Sequence, residues 1–124
     1  LVFKIVYNKF SMLFPGDILN HREKNLSFNS DINLSADILL SPHHGSLTSN
    51  TKIFLNTVLP GAVIISCGQH NRYGFPNNKV LKRYQKMGIQ IFRTDKNGAI
   101  FISSDGINHE IKSFFPGNYQ KDTF

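Results

Sequence analysis

Tryptophan is absent, cysteine occurs once, and no apolar run comes near the roughly 18–20 residues that a bilayer-spanning helix needs. The lone thiol, Cys67, excludes an intramolecular disulfide; it closes an apolar run and reads as a buried structural thiol. Low-complexity tracts and internal repeats are missing too, which excludes repeat arrays and unstructured polar linkers. Acid is scarce: Asp+Glu number 8 against 14 Lys+Arg, for a formal net charge of +6. The imbalance is local. Lys79, Lys82, Arg83, Lys86, Arg93 and Lys96 fall close together with Asp95 as the only acid among them. Such a cluster attracts phosphates with salt-dependent strength, or it is simply a solvated helix face.

What is present suits one globular domain. The chain has 124 residues, 40% of them hydrophobic, and its 11 Phe point to a core of aliphatics and phenylalanine. Residue 1 is Leu and strand-like sequence begins at once, so the chain is expected to be a segment of something longer, in which any leader would lie upstream.

Along the chain, residues 1–7 and 10–14 are apolar and aromatic, with Asn8-Lys9 as a hairpin turn. Residues 18–26 suit a short helix and 27–35 a loop. Residues 38–41 form a buried strand stopped by Pro42. Ser49 is the expected N-cap of a helix over 50–59, ended by Pro60-Gly61. Residues 62–67 are a continuous apolar strand of the kind buried on both faces. Asn77 or Asn78 is expected to cap a helix through Met87, with Gly88 just beyond its end. Residues 89–92 and 99–103 read as strands joined by the turn Asp95-Lys96-Asn97-Gly98, and 107–112 as a last strand. Residues 116–124 are a polar tail, leaving 1–115 as the domain. This pattern predicts an α/β fold: a mixed sheet with helices on one face. Its other face needs a second sheet, which the segment barely supplies, so exposed apolar surface and marginal stability are expected.

Three polar clusters each follow a buried strand: Phe14-Pro15-Gly16-Asp17, Pro42-His43-His44-Gly45, and Asn71-Arg72-Tyr73-Gly74-Phe75-Pro76. Loops leaving parallel strands at their C-terminal ends share one sheet edge, where ligands bind. A carboxylate and an imidazole are ligands for Zn, Mn or Fe. Adjacent histidines point apart, so one of His43 and His44 is expected to bind metal and the other to support it or face substrate. Read singly, each residue has a plainer role: Asp17 as a helix cap, the histidines as a polar loop pair, Asn71 as turn chemistry, and Tyr73 and Phe75 as packing.

Taken in order, a strand ending in Gly16-Asp17, one ending in His43-His44-Gly45-Ser46, an Asn71-x-Tyr73-Gly74-x-Pro76 loop opening a helix, then Arg93-Thr94-Asp95 and Ser104-Asp105-Gly106, the chain resembles the C-terminal half of the metallo-β-lactamase domain of the ComEC family of DNA-uptake proteins. The resemblance implies the αββα sandwich of that fold, of which this would be the C-terminal half only. It implies that Asp17 bridges two divalent metals (Zn or Mn), and that His44, or else His43, is the last histidine ligand. Asn71 and Tyr73 match the substrate-side loop, and Arg72, Lys79 and Lys82 would guide a nucleic-acid backbone. The implied activity is nuclease cleavage of one DNA strand during uptake, with Asp17 and His44 catalytic. The implied setting is a domain outside the cytoplasm joined to a membrane channel, with single-stranded DNA, that channel and the N-terminal half of the domain as partners.

Two departures stand against it. Phe75 occupies a position where the family often has His. The fold's His-x-His-x-Asp-His signature is also absent, since His21, His43, His44, His70 and His109 have no such spacing. Two ligands are too few to hold a catalytic metal, so the chain alone is expected to be inactive. The alternatives are a soluble hydrolase of this fold acting on a small phosphoester or lactone, and an inactive remnant that only binds nucleic acid.

Overall fold

The computed structural model describes residues 1–114; the tail expected over 116–124 lies outside the described residues. A five-stranded sheet runs in the order β1(Phe3–Tyr7), β2(Phe10–Phe14), β3(Ile38–Leu40), β4(Ala62–Ile65), β5(Gln90–Arg93). The β1–β2 pair is an antiparallel hairpin through Asn8, which takes positive φ. From β2 to β5 every pairing is parallel, so the sheet is mixed as the pattern predicts.

The helices α1(Asn20–Ser27), α2(Lys52–Val58) and α3(Asn78–Lys86) connect the parallel strands. Side-chain alternation along those strands divides the core into two layers. Leu13, Leu39, Val63 and Ile65 face the helices and pack with Phe54, Leu55, Val58, Val80 and Tyr84. Phe10, Met12, Ile38, Ile64 and Phe92 form the opposite layer. Each such fully buried side chain contributes about 1.5–3 kcal/mol.

That opposite face is where the structure departs from the sequence reading. In place of the hairpin turn expected over residues 95–98 stands the short helix α4(Thr94–Asn97), and the strands on either side of it belong to different sheets. Asn97 and Thr94 explain this: Asn97 Oδ1 accepts from the Arg93 backbone N–H, and Thr94 Oγ1 donates to Cys67 O at 2.8 Å, so the chain is pulled inward. The following hairpin, β6(Ala99–Ser104) and β7(His109–Phe114), is the second sheet. It lays Ile100, Ile102 and Ile111 over the Phe10–Phe92 layer. The sheet face expected to lie open is thus covered by the chain's own hairpin. Exposed apolar surface remains on β1 and on the outer side of the hairpin, at Phe3, Ile5, Phe101 and Phe114.

Two caps also differ. α2 begins at Lys52 with Thr51 as its N-cap, Oγ1 accepting from Phe54 N, rather than at residue 50 capped by Ser49. Ser49 is instead buried and donates to Ile18 O at 2.6 Å. Asn77 caps α3 as expected, accepting from Lys79 N. Cys67 is half-buried rather than buried.

Candidate functional site

Parallel pairing of β2, β3 and β4 sends their following loops out of the same sheet edge, and specific contacts then lock the loops together. His43 N donates to Gly16 O at 3.1 Å, tying the second loop to the first. Asn77 N donates to Gly45 O at 2.9 Å, tying the third to the second. Gly45 sits against Pro76, and a Cβ at residue 45 would fall 2.5 Å from the Pro76 Cβ. Only glycine permits that approach.

The result places Asp17 Oδ1 3.6 Å from His44 Nε2. Both side chains are open to solvent, 65% and 50% exposed. The far side of the imidazole is committed: Nδ1 lies 2.8 Å from the carbonyl oxygen of Ser66, just past β4. A carbonyl only accepts, so this contact assigns the hydrogen to Nδ1 and leaves Nε2 as a lone pair. A neutral His44 therefore aims an acceptor at a carboxylate. The arrangement becomes attractive when a cation lies between, whether a proton on Nε2 or a metal ion. Nδ1–H held by a backbone carbonyl is also how metal-ligating histidines are oriented.

Backbone strain accompanies this geometry. His43 (φ 50°, ψ 43°) and His44 (φ 54°, ψ 27°) are consecutive left-handed residues inside the Pro42–Gly45 turn. Each costs about 1–2 kcal/mol relative to a right-handed conformation. The left-handed pair turns the rings apart: their centroids are 6.5 Å apart and their planes 64° to one another. His43 sets its Nδ1 3.4 Å from Thr48 Oγ1 and meets the Phe75 ring edge-on with centroids 5.5 Å apart. Of the two histidines, His44 is the one that meets the carboxylate. Asp17 does not cap α1, whose N-cap is Leu19 with no side-chain hydrogen bond.

A buried polar network that sequence reading missed holds the strained turn from below. Asn50 Nδ2 donates to Pro42 O at 3.1 Å and to Ser46 O at 3.0 Å, clamping both ends of the histidine turn. Its Oδ1 accepts from Ser41 Oγ and from the Tyr84 hydroxyl. Glu23, fully buried, accepts from Asn50 N at 2.6 Å and Thr51 N at 2.9 Å, and Arg83 donates to Asn50 O. Burial pushes the Tyr84 hydroxyl well above its ordinary pKa, so it acts as a neutral donor. Among the described residues no buried side-chain nitrogen or oxygen lacks a partner. A polar Asn-Thr pair directly before an apolar helix was the available signal, but nothing local names Glu23 or Tyr84 as its partners.

In the third loop, the Asn71 amide is fully used inside the loop. Nδ2 donates to Gly68 O at 3.0 Å and Phe75 O at 2.7 Å, and Oδ1 accepts from Phe75 N at 2.9 Å. Tyr73 and Phe75 stack at 5.6 Å, with the Arg72 guanidinium 4.7 Å from the centroid of the Tyr73 ring. Lys79 and Lys82 are not at the Asp17–His44 corner. They line a groove between α2 and α3 of about 500 Å³ with Lys52, Asn56, Arg83, Lys86 and Met87. His21 and His70 are exposed, and His109 lies against Phe10. At the same sheet edge Arg93 grips Asp95 in a bidentate pair, Nε at 2.9 Å and Nη2 at 2.6 Å. That guanidinium first, and the Cys67 thiol with it, holds the Asp95 carboxyl below the usual carboxylate range. Burial first, then Asp95, pushes the Cys67 thiol up. Among the described residues no group of three or more His, Cys, Asp and Glu side chains comes together to hold an ion.

No protein-family model matches the sequence. Over 90 residues, 73% of the chain, it is 39% identical to ComE operon protein 3 of Bacillus subtilis (strain 168), covering 12% of that protein. Over 99 residues, 80% of the chain, it is 35% identical to Competence protein ComA of Neisseria gonorrhoeae, covering 14% of it. Over 67 residues, 54% of the chain, it is 33% identical to Recombination protein 2 of Haemophilus influenzae, covering 8% of it. The chain thus spans about an eighth of the length of the first two curated relatives. By sequence, it is homologous to one segment of each of these longer proteins, one of which is named for competence.

Proposed function

We propose that this chain is the C-terminal part of a metallo-β-lactamase-type domain that hydrolyses phosphodiesters of DNA during uptake, as part of a longer membrane-anchored protein. The observation that carries this reading is the contact between Asp17 Oδ1 and His44 Nε2 at 3.6 Å, with His44 Nδ1 already engaged by Ser66. Donors about 2.0–2.2 Å from one tetrahedral ion stand roughly 3.3 Å from each other, so this spacing suits a shared cation. The carboxylate-imidazole donor set suits Zn or Mn. Consecutive left-handed histidines, held by a buried network, are backbone strain of the kind found at working sites. One homologue carries the word competence in its name, Competence protein ComA, which supports the DNA-uptake setting.

Divalent ions bound here would supply Lewis acidity and an activated water for in-line attack on phosphorus. The chain's own residues do the rest. Asp17 and His44 hold charge at the sheet edge, and Asn71 keeps the adjoining loop in shape. Arg72, Lys79 and Lys82 draw in the anionic strand. Asp17 and His44 are two ligands, and the N-terminal half of the domain would provide the others, so the chain alone is weak in metal binding and inactive. Its setting outside the cytoplasm, beside a membrane channel, belongs to the same reading; no described helix is long and apolar enough to cross a membrane.

Titration of the chain with Zn²⁺, followed through its histidine ¹⁵N resonances, tests the reading. The His44 Nε2 signal is expected to move first, and Asp17→Ala to lower the affinity about tenfold or more. If millimolar Zn²⁺ and Mn²⁺ both leave the His44 signals unmoved, the hydrolase reading falls.

A further inference from the structure

We infer that Thr94 is a positioning residue for the Asp17–His44 corner: its hydroxyl holds the Ser66–Cys67 peptide by the N–H, which aims the Ser66 carbonyl at His44 Nδ1 and keeps the Nε2 lone pair turned to Asp17. The inference rests on the metal-site reading of that corner and adds the residue that sets the tautomer of its histidine.

The Ser66 carbonyl and the Cys67 N–H are the two ends of one peptide unit. That unit is planar and trans, so its C=O and N–H point in opposite directions. Cys67 N donates to Thr94 Oγ1 at 2.8 Å, and Ser66 O accepts from His44 Nδ1 at 2.8 Å. The same hydroxyl donates to Cys67 O at 2.8 Å, so Thr94 grips residue 67 on both sides. That grip needs one atom that both donates and accepts, and a hydroxyl oxygen is such an atom. The ladder between β4 and β5 ends where Ile65 faces Arg93, so past that point the sheet no longer fixes the peptide. Residues 93–95 take over: Arg93 holds Asp95, and Asp95 Oδ1 accepts from Cys67 Sγ at 3.2 Å. Arg93-Thr94-Asp95 therefore converges on Cys67, and through its peptide on His44.

The tautomer of His44 is a contest between two acceptors. Asp17 Oδ1 stands 3.6 Å from Nε2, and a carboxylate there favours a hydrogen on Nε2. A hydrogen on Nε2 would occupy the atom that a metal needs as a lone pair. The Ser66 carbonyl draws the hydrogen to Nδ1 instead. A bond at the Cys67 N–H strengthens the one accepted by the Ser66 oxygen, since linked hydrogen bonds polarise one another. Thr94 also closes the strand end of β4, a structural role that would move stability alone. The tautomer separates the two roles.

The experiment records the ¹⁵N resonances of the His44 ring in the 124-residue chain, in mildly alkaline buffer with a chelator, for the parent, Thr94→Val and Thr94→Ser. The parent is expected to carry its hydrogen on Nδ1. Thr94→Val keeps the shape and removes the hydroxyl, so the hydrogen should shift toward Nε2 while the Cys67 amide resonance reports the lost bond. Zn²⁺ affinity, measured separately without chelator, should fall about 2- to 10-fold in Thr94→Val, the equivalent of one hydrogen bond. Thr94→Ser should restore the parental tautomer and affinity. Thr94→Ala also deletes the hydroxyl and replaces the valine variant if that one does not fold. A parent with its hydrogen on Nε2, a tautomer unchanged while the Cys67 amide shifts, or a tautomer changed equally by serine and valine would each overturn the inference, as would parental Zn²⁺ affinity in Thr94→Val. The tautomer is read with no metal present, so it can fail while the Zn²⁺ titration of the parent chain succeeds, and the reverse.

Discussion

Tyr84 on α3 donates its hydroxyl to the buried Oδ1 of Asn50, and through that one amide the helical layer holds the histidine turn. The other end of the amide grips Pro42 O and Ser46 O. Asn50→Ala would remove the amide's bonds to both carbonyls and the acceptor shared by Ser41 and Tyr84, which keep their bond to each other at 2.9 Å, and should cost about 2–4 kcal/mol in urea unfolding. Asn50 also has φ 62°, so Asn50→Gly should recover about 1 kcal/mol of that loss by removing the left-handed penalty. Tyr84→Phe removes one donor and leaves the amide in place, with an expected loss of about 1–2 kcal/mol. Equal stability of Asn50→Ala and the parent chain would show that the network does not hold the turn.

Gly45 and Gly74 make a matched pair for testing how the third loop is seated. Both have positive φ, 81° and 65°. A Cβ at 45 would meet the Pro76 Cβ at 2.5 Å, whereas at 74 nothing lies within 4 Å. Gly74→Ala should therefore cost only the conformational term, about 1 kcal/mol. Gly45→Ala should cost more, about 2–4 kcal/mol, because the 71–76 loop must also shift. Thermal unfolding of the two variants measures the difference, and amide NMR shifts confined to residues 71–77 in Gly45→Ala would locate it. Indistinguishable variants would mean that the Gly45–Pro76 contact is not what seats the loop.

Much of this was legible in the sequence for a physical reason: the signals were local. Asn77 as a cap, Gly88 beyond α3 and the apolar runs of β2, β3 and β4 each act within a few residues. The convergence of Asp17 with a histidine of the 43–44 pair was legible as well, because parallel strands put their C-terminal loops on one edge. What was not legible depends on long-range partners. The 95–98 segment looks like a hairpin turn in isolation, yet Thr94 just before it is bonded to Cys67 and the next strand crosses to the second sheet. Ser49 looks like the cap of α2, but its hydroxyl is taken by Ile18 and Thr51 does the capping. Glu23 and Tyr84 gave no sign at all, since a single acid on α1 and an apolar-face tyrosine become a network only after the helices pack.

The Arg93–Asp95 pair sets an acid-limb prediction. Its side chains are 23% and 9% exposed, and the grip is bidentate, so the contact should contribute about 1–3 kcal/mol at neutral pH. Asp95 is held below its ordinary value, chiefly by Arg93. An unfolded Asp takes up its proton near pH ~4, while the folded one resists until lower pH. Unfolding therefore takes up protons in that interval, and the contribution is full above it and drains as pH falls through the folded value. Asp95→Asn should lower stability at neutral pH and flatten the decline below pH ~4, so that the two melting curves draw together in acid. A gap that stays constant down to pH ~2 would mean that ionisation of Asp95 is not coupled to folding.

Salt dependence tests the groove between α2 and α3. Lys52, Lys79, Lys82, Arg83 and Lys86 line it with no acid among the lining residues, and among the described residues no ion pair within 4.0 Å neutralises any of them. Each lysine that contacts a phosphate of a single strand releases condensed counterion, and contributes roughly 0.7 to the slope of log affinity against log salt. Lys79→Ala with Lys82→Ala should reduce that slope by about 1.4 and weaken oligothymidylate and abasic strands alike, because both carry the same phosphates. If the double lysine variant keeps the parental slope, the cationic groove is a solvated helix face and any nucleic acid runs elsewhere, past Arg72 and the sheet edge alone.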